Sequence, residues 1–260
     1  MFLIMWFSKP FLLSWHSIIR SSLKWYKKMK DNSMLCFEKM EVKYHDRRSK
    51  ANFVWVKYKD YLQESILDVG SDECYLKQYL PNGVKYWGIG LGGHPDQKVN
   101  LEKDRIPFSD NAFYCVLCLD VLEHIENIHE VFDDLCRVSR KYVIISLPNA
   151  WSDFYNMLRH GNYSQTSPLK FYGLPVEPPE DRHKWFFSFE EAKKFIEYRA
   201  IKNGMSVLRM DWHQKTNYIS ILKVFLLQQV LHKDVRADNL AKGTIWAVLE
   251  KGAPVQSSRI

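Results

Sequence analysis

The sequence predicts a doubly wound α/β fold, and three observations carry that expectation. From residue 65 onward, short β-branched runs alternate with amphipathic segments. Most of the runs are continuously apolar, as strands covered by helices on both faces must be. At 260 residues with 46% hydrophobic content, the chain is long enough to bury one substantial core.

The strand candidates, in order, are residues 65–70 (SILDVG), 84–91 (VKYWGIGL), a short run at 97–101, 113–120 (FYCVLCLD), 141–148 (KYVIISLP), 205–213 (MSVLRMDWH) and 244–251 (TIWAVLEK). Helix candidates fall between them at 73–80, 125–139, 150–160 and 188–203. The last has the clearest boundaries. Ser188 and Glu191 have capping-box spacing, acids occupy the first turn, and Gly204 is placed to stop the helix. Two insertions interrupt the main domain of residues 51–260. One, at 160–185, is rich in proline and aromatics, and after the fifth strand it falls near the ligand-binding edge of such a sheet. The other, at 217–242, begins with an apolar helix that either roofs the same crevice or packs on the sheet.

Charge separates the two ends of the chain. Residues 1–50 carry 11 Lys and Arg against 4 Asp and Glu, a net of +7 that equals the surplus of the whole chain; the remainder balances at 26 and 26. A balanced main domain lacks the basic stripe of a nucleic-acid groove, so no nucleic-acid partner is expected. In the 1–50 extension, Leu12, Trp15, Ile19 and Tyr26 recur at helical spacing among Arg20, Lys24, Lys27, Lys28 and Lys30. Its apolar runs are too short to span a bilayer and it carries no clear cleavage site. Residues 9–30 are therefore expected either to lie on an anionic membrane surface or to pack as a half-buried helix on the main domain. Five cysteines without a regular framework point to a reducing, cytoplasmic setting, at the inner membrane face if the extension binds there. Cys115 and Cys118 face opposite sides of a strand, so no metal site is expected from them.

Three stretches together resemble the class I S-adenosylmethionine-dependent methyltransferases, in particular the type 11 methyltransferase domain. They are ILDVGSDECYL (66–76), NLEKDRIPFSDNAFYCVLCLDVLEHIENIHEVFDDLCRVS (100–139) and KYVIISLPN (141–149). The resemblance implies a Rossmann-like sheet of seven strands, mostly parallel with an antiparallel last strand, and S-adenosyl-L-methionine as methyl donor. It implies that Asp68, Gly70, Ser71 and Asp72 wrap the methionine part, where acids suit the donor's ammonium and sulfonium cations. The turn SDE holds no Lys or Arg, which also disfavours a pyrophosphate and hence a nicotinamide-dependent oxidoreductase.

The same comparison places Asn100, Leu101 and Glu102 against the adenine, and Asp120 and Val121 on the turn after the fourth strand. It also exposes departures. Asp72 and Cys74 stand where further glycines are usual, and Gly90 stands where the family usually carries the acid that binds the ribose hydroxyls. Asp72, Glu73, Asp96 and Glu102 are the acids that could substitute; the alternative is a worn site. For the chemistry, the candidates are His124 as proton acceptor, with Asp120 beside it, and His183 in the cluster PEDRHKW. His124 has a second reading as a structural histidine of the following helix, and the cluster a second reading as a salt-bridged clamp. The expected function is methyl transfer to a hydroxyl of a small-molecule or saccharide acceptor, lipid-linked acceptors included; the rival reading is a methyltransferase fold serving as a binding or scaffold protein tethered by its basic helix.

Overall fold

The structure, a computed structural model, describes residues 36–41, 43–160, 169–174, 176–179, 181–214 and 236–252. The fold below is that of Glu38–Ile260, with Cys36 and Phe37 as the first residues of its edge strand. Residues 9–30, residues 161–168, 175 and 180 of the first insertion and residues 217–235 of the second lie outside the described residues.

Eight strands form one sheet. They are β1 (Cys36–Met40), β2 (Ser65–Val69), β3 (Lys85–Gly90), β4 (Gln97–Lys98), β5 (Phe113–Leu119), β6 (Ser139–Leu147), β7 (Met205–Gln214) and β8 (Lys242–Lys251), in spatial order β1-β7-β8-β6-β5-β2-β3-β4. The pairs of β2 with β3 and β5, β3 with β4, and β5 with β6 are parallel, whereas β8 runs antiparallel to both β6 and β7. The seven expected strands are all present, the last one antiparallel as expected, and β1 adds an eighth at the edge. The weak run at 97–101 pairs over two residues only, Gln97 and Lys98 against Ile89 and Gly90.

Six α-helices connect or cover the described strands: α1 (Arg47–Tyr58), α2 (Ile128–Val138), α3 (Ala150–His160), α4 (Leu169–Tyr172), α5 (Phe189–Lys202) and α6 (Ala237–Ala241). The helix expected at 73–80 is instead a 3-10 helix, Tyr75–Tyr79. Cys74 enters it from the left-handed region and Pro81 holds Leu80 extended, which leaves too few residues for an α-helix. The helix expected from 125 begins at Ile128, because Leu122–His124 form a 3-10 turn and Ile125 is extended. Around α5 the capping box forms as read: Ser188 Oγ accepts from Glu191 N and the Glu191 carboxylate accepts from Ser188 N.

Both faces of the sheet are covered, which is why β2, β5, β6 and β8 are almost continuously buried. Val54 and Tyr58 of α1 pack with Ile66, Leu117, Ile144, Trp246 and Val248, and Tyr58 stacks on Trp246 at 5.7 Å. Phe132 and Leu135 of α2 and Ile196 of α5 are fully buried elsewhere in the core. Each such side chain contributes about 1.5–3 kcal/mol. The chain order reverses between β2 and β5, leaving a crevice beyond their carboxyl ends.

Candidate active site

At that switch point Gly70 N and Ser71 N both donate to Ile89 O, at 2.7 and 3.1 Å, folding the chain sharply off β2. Gly70 has φ +78, and a Cβ there would lie 2.2 Å from Val121 Cγ2. A bare residue is required by both facts. Asp72 and Cys74 adopt φ +51 and +53 without being glycine. The turn thus keeps a left-handed backbone at its two substituted positions, at a cost of about 1–2 kcal/mol each. The tip of β5 is similar, with Asp120 at φ +56.

The crevice has a volume of about 630 Å³, and Asp68, Gly70, Ser71, Asp72, Asp120, Glu123, His124, Asp181 and His183 all line it. Asp68 lies deep in it; burial raises its pKa to about 6, against the hydrogen bond from Tyr86 Oη at 2.7 Å and the charge of Lys50. Asp120 accepts from Lys50 Nζ at 2.6 Å and from Ser146 Oγ at 2.5 Å. Burial alone would raise its pKa, but the Lys50 ammonium and the Ser146 hydroxyl outweigh burial and hold it below the ordinary value.

Two cations in the crevice were invisible to motif reading. Helix α1 brings Lys50 to Asp120 and Arg47 to Asp72, the latter an ion pair at 2.6 Å that is not aligned as a hydrogen bond. Cations in the first turn oppose the helix dipole, so these two are held there by the acids of the site. Ala51, Val54 and Tyr58 recur at helical spacing behind an Asp46 cap, which is the sequence signal for this helix.

The wall opposite β2 comes from the segment 181–185, which folds back onto the turn after β5. Lys184 N donates to Glu123 O at 2.8 Å, Trp185 Nε1 donates to Ile125 O at 2.8 Å, and Lys184 Nζ pairs with Glu102. His124 Nδ1 hydrogen-bonds Asp181 Oδ1 at 2.7 Å, and the His183 ring meets that of His124 at 4.5 Å and stacks on Phe171 at 4.1 Å. These bonds clamp the segment onto the turn, and Asp181 and His183 line the crevice. Glu123 is 1% exposed, and burial together with Asp120 pushes its pKa well above the ordinary range.

The residues expected around the adenosyl half lie beside the crevice and not along its lining. Gly90, Asn100, Leu101, Glu102 and Val121 do not line the crevice. Asn100 Oδ1 accepts from Glu102 N, Leu101 is buried with its carbonyl on Asn127 Nδ2, and Val121 packs against Gly70. Each of the four acids weighed as substitutes has a partner: Asp72 with Arg47, Glu73 with His94, Asp96 with Lys77 and Gly88 N, and Glu102 with Lys184. For the methionine half, Gly70 and Ser71 offer bare backbone beside Asp68, with the cations Arg47 and Lys50 already paired to Asp72 and Asp120.

Residues 93–146 match the family described as a methyltransferase domain. Among solved structures, an S-adenosylmethionine-dependent methyltransferase from Archaeoglobus fulgidus superposes with a TM-score of 0.52 at 14% identity, over 78% of this chain and 94% of that one. Magnesium protoporphyrin IX methyltransferase from Synechocystis, with S-adenosylhomocysteine bound, gives 0.46 at 13% identity over 82% and 90%. A small RNA methyltransferase gives 0.49 at 12% identity, over 85% of this chain and 27% of that one. Comparison with curated proteins finds no match. The chain has the fold of the class I S-adenosylmethionine-dependent methyltransferases.

Proposed function

We propose that the chain is an S-adenosyl-L-methionine-dependent methyltransferase that methylates a hydroxyl of a small-molecule or saccharide acceptor. The observation that carries this reading is the convergence of Asp68, Gly70 and Asp120 in one crevice at the switch point, with His124 and His183 on its facing wall. Asp68, Gly70, Ser71 and Asp72 would hold the methionine end of the donor, and Asp120 would lie near its cationic centre. When bound, the donor supplies an electrophilic methyl group. The protein's task is to hold an acceptor oxygen in line with that group and to exclude water. Asp181 fixes the tautomer and orientation of His124, leaving the imidazole to accept the hydroxyl proton. His183 and Tyr172, hydrogen-bonded to each other at 2.8 Å, form the neighbouring acceptor surface.

No helix among the described residues is long and apolar enough to cross a membrane. Contact of residues 9–30 with an anionic membrane remains part of the proposal, consistent with the basic surplus of residues 1–50. A second reading, a binding or scaffold protein, is favoured by one observation: Gly90 offers no carboxylate, and Asp96 is held by Lys77 and Gly88 N. Calorimetric titration with S-adenosylhomocysteine separates the two. Saturable binding is expected; absence of heat and of a thermal shift at millimolar ligand would leave the scaffold reading.

A further inference from the structure

The facing wall of the crevice holds a carboxylate and two imidazoles whose donor atoms, from Glu123, His124 and His183, all lie within 4.8 Å of one another. Glu123 is 1% exposed and its Oε2 has no hydrogen-bond partner. A buried carboxylate oxygen without a partner is costly, and either a proton or a bound cation offsets the cost. Its other oxygen, Oε1, lies 3.7 Å from His124 Nε2.

The two rings are oriented from behind. His124 Nδ1 is held by Asp181 Oδ1 at 2.7 Å, and His183 Nδ1 by Tyr172 Oη at 2.8 Å. Stacking on Phe171 at an interplanar angle of 12° further restrains the His183 ring. With Nδ1 engaged on each ring, a cation would be met by Nε2, the arrangement in which an outer oxygen fixes the tautomer of a metal-ligating histidine. Donors about 2.1 Å from a tetrahedral ion lie about 3.4 Å apart, so a pair at 4.8 Å would close by about 1.4 Å on binding, a shift within reach of side-chain rotation.

We propose that Glu123, His124 and His183 form a binding site for a divalent first-row transition cation such as zinc or manganese, with Asp181 and Tyr172 as positioning residues. Two nitrogens and one oxygen suit cations of intermediate softness. Three protein ligands leave coordination positions for water or an acceptor oxygen from the crevice that all three residues line. With the cation bound, His124 is a ligand and no longer a proton acceptor. The cation would take over the role proposed above for the His124 imidazole, whereas methyl-donor binding is read by a separate titration and stands or fails on its own.

The full chain, stripped with a chelator, is titrated with cobalt(II) and followed by visible absorption, with zinc competition by equilibrium dialysis. One equivalent is expected to bind. Glu123→Gln and His183→Gln should each weaken binding at least tenfold, and Asp181→Asn by about 10–100-fold, with folding checked by circular dichroism. Should Glu123→Gln not fold, His183→Gln and Asp181→Asn decide, because both positions lie on the segment 181–185 and not in the sheet. Absence of a bound equivalent at 100 μM metal, or unchanged affinity in the folded variants, overturns the site.

Discussion

Substituting Gly70 by alanine tests the geometry of the turn most directly. The new Cβ would sit 2.2 Å from Val121 Cγ2 and 3.3 Å from Val121 Cβ, on a residue at φ +78. The left-handed backbone costs a residue with a side chain about 1 kcal/mol, and the overlap adds about 1–3 kcal/mol because Val121 must move off the turn. The expected loss is therefore about 2–4 kcal/mol in urea unfolding. Val121→Ala removes Cγ1 and Cγ2 and leaves a 3.3 Å contact that small shifts relieve. The double variant should recover the overlap but not the backbone cost, giving a coupling of at least about 1 kcal/mol. A loss below about 1 kcal/mol for Gly70→Ala, or strictly additive effects in the cycle, would refute the tight turn.

Asp68 gives a pH-dependent outcome. Its folded pKa is raised to about 6 from an ordinary 3.8, so the folded state binds the proton more tightly, and this contribution to stability is greatest at low pH and lost as pH rises through 6. A cationic donor favours the ionised acid, so binding between pH 4 and 6 should release protons; equal heats at pH 5.5 in buffers of different ionisation enthalpy would contradict this. Replacing Lys50 by methionine removes the ammonium 2.6 Å from Asp120. It should tighten S-adenosylmethionine relative to S-adenosylhomocysteine, which lacks the sulfonium charge, and an unchanged ratio of dissociation constants would place Lys50 outside the donor's field. Ser188→Ala should cost about 0.5–2 kcal/mol of stability through the lost cap of α5, while titration with S-adenosylhomocysteine gives the wild-type affinity.

Local patterns made the sheet legible. Continuous apolar runs marked β2, β5, β6 and β8 because strands buried on both faces must be apolar at every position. The capping box of α5 was legible because its two partners are three residues apart. The run at 97–101 misled in length, since pairing there stops after Lys98, where the chain enters the turn in which Asn100 Oδ1 accepts from Glu102 N.

What the chain order could not disclose is which charges meet. Lys50 and Asp120 are 70 residues apart, and Glu102 and Lys184 are 82 apart; their pairing depends on where α1 and the segment 181–185 come to rest. The missing glycines at 72 and 74 look like losses in the sequence, yet Asp72 and Cys74 hold left-handed backbone because the bonds of Gly70 and Ser71 to Ile89 O and of His94 N to Asp72 O enforce it. Strand identity follows from short-range periodicity, which any stretch of chain carries within itself. The partners of a carboxylate follow from the packing of distant elements, and that exists only once the chain is folded.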